Sequence, residues 1–110
     1  MEAGKRSEYY EAIIQLRNPN QEIVNCIRNA VARRDDVFIA KEVPLKTGID
    51  FFISSQKFAH QIGKILKKSF KGELVESRKL FAQDRQTSRV LYRRTVLFRV
   101  EEPKEEVESD

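Results

Sequence analysis

Apolar residues recur along this chain at two different periods, and the switches between them outline the elements. Tyr10, Ala12, Ile14 and Leu16 alternate with polar or mixed positions, the two-residue period of a strand over 9–17. Asn18-Pro19 then opens a helix. Asn18 suits the N-cap, Pro19 the first helical position, and Gln21 the place of a capping-box partner. Ile23, Val24, Ile27, Ala30 and Val31 follow at helical spacing, giving one buried stripe. Arg33-Arg34 suits the negative end of that helix.

Residues 37–43 read as a second strand, 44–48 as a turn and 49–53 as a third strand, together a hairpin. Ser54 or Ser55 caps a second helix that runs to about Phe70, with Gly72 as its terminator. A fourth strand covers 74–82 and a polar turn 83–88. A long fifth strand covers 89–101, with Val90, Tyr92, Arg94, Val96, Phe98 and Val100 on one side. The order β-α-β-β-α-β-β predicts an α+β fold. It is a two-layer sandwich, a mostly antiparallel sheet with both helices on one face. The other sheet face is left to solvent or a partner. Residues 1–8 read as a disordered lead-in, 9–100 as one domain, and 101–110 as an acidic tail or linker too poor in apolar residues to pack.

Composition narrows the function classes. A chain of 110 residues with 40% hydrophobic content holds a single core. Its one cysteine, Cys26, excludes a disulfide framework or a thiolate metal cluster. No apolar run reaches the ~20 residues needed to span a bilayer, and 1–8 is polar, so a cytoplasmic location is expected. The net charge of +4 is unevenly spread. Residues 57–99 carry 12 basic and 3 acidic side chains, whereas 100–110 carry 1 basic and 6 acidic. Such asymmetry bears on partners rather than on fold.

The basic residues fall in two groups. On the second helix Phe58, Ala59, Ile62, Ile65, Leu66 and Phe70 share one arc. Lys57, Gln61, Lys64, Lys68 and Lys71 share the opposite one, with Lys67 beside them. Charge opposite a core stripe is the rule for surface helices, and an ordinary solvated face is the first explanation. A phosphate-contacting face gains weight because no acidic residue interrupts this helix, whereas a helix tuned for solubility mixes signs. Arg78, Lys79, Arg85, Arg89, Arg93, Arg94 and Arg99 form the second group, on the last two strands and their turn. Arginines beside Tyr92 suit base stacking and phosphate gripping; protection of an outer strand against aggregation explains them equally well. The two groups are expected to be halves of one positive surface.

Catalytic chemistry is not visible. His60, the single histidine, lies near the basic arc and is expected to be solvent-exposed. Cys26 reads as a small buried hydrophobe. Asp35-Asp36 reads as a turn, and Asp50 and Asp84 as separated acids without a partner. There is no glycine-rich phosphate loop, and no metal site or cofactor is expected.

Three blocks carry a family resemblance: the 9–17 strand, residues 48–66 with the Ser54-Ser55 junction ahead of Ala59-His60, and Glu76-Ser-Arg-Lys-Leu80 leading to Asp84 and the arginine-rich last strand. Together they resemble the middle domain of the nonsense-mediated-decay protein three family in its archaeal form, an adaptor of the large ribosomal subunit. The resemblance spans roughly 9–100. It implies a fold like a small eukaryotic-type large-subunit ribosomal protein and a role in late subunit maturation across rRNA and tRNA sites. The family's cysteine-rich zinc module has no counterpart here, since Cys26 stands alone. The expectation is a noncatalytic, monomeric, ribosome-binding domain. Its partners are rRNA and ribosomal proteins, with no membrane and no small-molecule substrate. The alternative is a protein–protein interaction module whose basic face serves only solubility.

Overall fold

The computed structural model describes residues 9–84 and 89–101, with side chains omitted over 81–91. The expected lead-in over 1–8, the tip of the 83–88 turn with Arg85, and the tail beyond Glu101 lie outside them. The described residues form five strands and two helices: β1 (Ala12–Arg17), α1 (Gln21–Ala32), β2 (Ile39–Leu45), β3 (Gly48–Ile53), α2 (Gln56–Ser69), β4 (Gly72–Asp84) and β5 (Arg89–Val100). This is the predicted order.

The strands make one sheet, β2-β3-β1-β5-β4. Every neighbouring pair is antiparallel except β1–β5, which is parallel. Both β1-α1-β2 and β3-α2-β4 are crossovers, and both helices pack on the same face. The two-residue period decides which face. Ala12, Ile14 and Leu16 of β1, Phe51 and Ile53 of β3, and Val96 and Phe98 of β5 point the same way. They are buried in one cluster with Ile23, Ile27 and Val31 of α1 and Phe58, Ala59, Ile62 and Leu66 of α2. Each Val, Leu, Ile or Phe side chain among them removed from water contributes roughly 1.5–3 kcal/mol. No helix among the described residues is long and apolar enough to cross a membrane.

β4 and β5 outrun the rest of the sheet. β1 pairs with β5 only through Arg94–Arg99, so Arg89–Arg93 have β4 as their one partner strand. At about 3.4 Å per residue this two-stranded arm extends roughly 17 Å past β1.

Several local signals resolve differently from expectation. Asn20, not Asn18, caps α1: its Oδ1 accepts from the Ile23 amide at 2.9 Å. Asn18 instead takes a left-handed conformation (φ 56°), which asparagine tolerates, and its amide donates to Thr47 O across to the β2–β3 turn. That turn is shorter than predicted. Only Lys46-Thr47 separate the strands, and Pro44 lies inside β2, an edge strand, where a missing donor is tolerated. Gly72 does not end α2. The helix stops at Ser69, Phe70 is extended, and Gly72 opens β4. A Cβ on Gly72 would come within 2.5 Å of Arg99 O and 2.7 Å of the Phe98 ring, so the strand pairing itself requires glycine. Cys26 is only half-buried at the core's edge.

Candidate nucleic-acid interface

The two serines ahead of α2 divide the work. Ser54 is buried and its Oγ accepts from the Phe38 amide at 2.9 Å, tying the start of β2 to the end of β3. Ser55 is the N-cap, its Oγ accepting from the Phe58 amide at 3.1 Å. Glu11 adds a carboxylate to the same helix end, its Oε1 accepting from the Gln56 amide at 3.0 Å. A negative group there complements the helix dipole. Nothing in sequence pointed to a contact 45 residues away.

With its N-terminus fixed, α2 lies over β1, β5 and β4. Gly63 lets it approach closely: a Cβ there would stand 3.0 Å from Val96 Cγ1 and 3.3 Å from Leu74 Cδ1. The helix buries Phe58, Ala59, Ile62, Gly63 and Leu66. Ile65, placed by periodicity on the core arc, is 45% exposed, at the margin of that stripe. Lys57, Lys64, Lys67, Lys68 and Lys71 all reach solvent. Lys67 also donates to Gly72 O at 3.0 Å, closing the C-terminal end. Among the described residues none of the five lysines pairs with a carboxylate. α2 itself holds no acid. Four of the lysines are carried by α2 itself, and Lys71, exposed, follows in the link between α2 and β4.

Strand register distributes the second basic group over both sheet faces. Arg78 is paired with Arg94, and Lys79 with Arg93, so the two pairs point to opposite faces. Arg78 is exposed on the helix side at the root of the arm, its guanidinium carbon 4.6 Å above the Tyr92 ring. Lys79, Arg93 and Arg99 lie on the open face, where Arg93 stacks on Tyr10 at 3.9 Å. Arg94 points under α2. Its Nη1 donates to Glu76 Oε1 at 2.7 Å, and both side chains are 20% exposed. Of Arg89 only the backbone position at the start of β5 is described. Lysines and arginines are therefore not two halves of one surface; Arg78 alone of the described arginines from the last two strands is exposed on the α2 side. Edge protection does not account for Arg94 and Arg99, which lie where β5 is flanked by both β1 and β4, whereas Arg78 and Lys79 are on the edge strand β4 and that reading still applies to them.

His60 is not free in solvent as its place on the helix suggested. Its Nδ1 lies 2.9 Å from both carboxylate oxygens of Glu76, of which Oε1 also accepts from Arg94. This His60–Glu76–Arg94 cluster bolts α2 to β4 and β5. Asp50 likewise has a partner, accepting from Arg17 Nη1 at 2.9 Å across the β1–β3 pair. Asp36 accepts both guanidinium hydrogen bonds of Arg34, which hold its carboxyl below the usual carboxylate range. No group of three metal-ligating side chains converges among the described residues.

No curated protein matches this chain. The family described as NMD3, second domain, matches residues 9–100, and with the fold and the lysine-bearing helix now placed, the chain belongs to the NMD3 family.

Proposed function

We propose that this domain is a noncatalytic, cytoplasmic ribosome-binding unit that acts as a monomer. It docks on rRNA of the large subunit during late maturation through the outer side of α2. The observation that carries the reading is the row Lys57, Lys64, Lys67, Lys68 and Lys71, exposed and without a carboxylate partner among the described residues. A rigid helix holding cations on one side offers phosphate contacts in fixed register, while lysine point charges read no base. Selectivity then comes from the shape of the RNA. Arg78, held on Tyr92, extends the surface toward the arm. Membership of an adaptor family supports the ribosomal setting.

Binding to large-subunit rRNA is expected to weaken steeply with salt. Each phosphate contact contributes about 0.7–0.9 to the slope of log K against log salt, so four or five contacts give a slope of roughly −3 to −4.5. Reversing Lys64, Lys67 and Lys68 to Glu should reduce affinity at least tenfold and flatten that slope. Filter binding across a salt series measures both. Unchanged affinity in the triple variant, or no binding at low salt, refutes the reading.

A further inference from the structure

The sheet face turned away from the helices has a chemistry of its own. Register places Val43, Phe52, Ile13, Leu97 and Val75 on it, crossing all five strands. These side chains are half-buried, apart from Val75 on the edge strand, which is 44% exposed. Ile13 and Leu97 belong to the β1–β5 pair at the sheet's interior. Around this apolar band, among the described side chains of the strands, stand Lys41, Lys79, Arg17, Arg93 and Arg99, against Asp50, which pairs with Arg17, and Glu73. An apolar centre inside a charged rim is the anatomy of a docking surface.

The aromatic residues here decide what class of partner fits. Tyr10 and Phe52 meet edge to face at 4.9 Å. Lys41 Nζ sits 4.8 Å over Phe52, and the Arg93 guanidinium 3.9 Å over Tyr10. Each ring already meets the other and carries a cation on a face. Recognition of single-stranded RNA on a sheet needs ring faces free for stacked bases. Across β1, β5 and β4 what remains open is aliphatic, Ile13, Leu97 and Val75, which suits apolar side chains. The cationic excess of the rim selects carboxylates around them.

We infer that the open sheet face, centred on Ile13, Leu97 and Val75, is a second docking surface that takes a protein partner with an apolar centre edged by Asp or Glu. The inference goes beyond the RNA reading and rests on it only for the ribosomal setting. The domain then bridges two partners, RNA on the α2 side and protein on the opposite side.

The test places a photo-crosslinking p-benzoylphenylalanine at Ser77, exposed on the open face, or at Gln61, exposed on α2. The full chain is incubated with purified large ribosomal subunits and irradiated. The Ser77 derivative should cross-link a ribosomal protein. Adding Val75→Glu should reduce that adduct at least tenfold, while affinity for deproteinised rRNA stays within twofold. Adducts of the Ser77 derivative with rRNA, no adduct at all, or one that Val75→Glu leaves intact overturns the inference. The Gln61 derivative reports on the RNA reading separately: its failure to cross-link rRNA counts against that reading alone.

Discussion

At the scale of single residues, a few polar contacts decide where α2 sits, and they differ in what they contribute. Ser55 satisfies one otherwise orphaned amide at the helix start. Ser55→Ala should cost about 1 kcal/mol, read as a lower midpoint in urea at unchanged m-value. Glu76 matters more, because it accepts from Arg94 and His60 at once. Glu76→Gln leaves the Arg94 guanidinium enclosed without its counter-charge. Both partners retain some solvent contact, so the loss should be about 2 kcal/mol, below the ~3–5 of a fully buried pair. Adding Arg94→Met should recover most of it, since replacing both partners removes the stranded charge. A double-mutant cycle in urea unfolding settles whether the two losses are coupled. The sequence hid this cluster. Residues 60, 76 and 94 come together only through the helix crossover and the β4–β5 register, although the alternation of β5 does set Arg94 on the same side as Val96 and Phe98.

At the scale of elements, α2 shows what sequence patterns convey well and where they stop. Apolar spacing located its buried arc, and serine its start, because both are local matters of a 3.6-residue period and a cap. Its end was misassigned for an equally physical reason. Gly72 resembles a helix terminator, yet it is glycine because β5 passes too close for a Cβ. Gly63 is a similar case, a helix interior glycine retained for close approach to Val96 and Leu74. Gly63→Val should lift the helix from the sheet and lower stability by about 2 kcal/mol, the cost of overpacking. Thermal unfolding with amide exchange over α2 would show the loss confined to the α2–β4–β5 side; an unaltered midpoint would mean that the contact is slack.

At the scale of the whole molecule, faces replace residues as the units that matter. The helix layer turns lysines outward, and the open sheet face turns an apolar band with a cationic rim the opposite way. Lys64→Glu, away from the helix end, should leave unfolding within about 0.5 kcal/mol of the parent, as expected for an exposed side chain outside the core. Lys67→Glu and Lys68→Glu should each lose about 0.3–1 kcal/mol, because both stand in the last turn, where cations complement the helix dipole, and Lys67 donates to Gly72 O. If Lys64→Glu melts markedly lower, that lysine serves the fold and not a partner. Element order, fold class and the α2 core were legible from one sequence, because period and turn chemistry are short-range. So was the family, through motifs spread over 9–100. What tertiary structure alone decided is which partner each side of a strand meets. Arg78 and Lys79 are neighbours in the chain, yet strand alternation sends them to opposite faces. Arg93 and Arg94 part in the same way, one to a tyrosine on the open face, the other to a carboxylate under the helix. Composition counts charges without regard to direction; the pleat of a strand, whose register is set by distant partners, determines which partner each charge can meet.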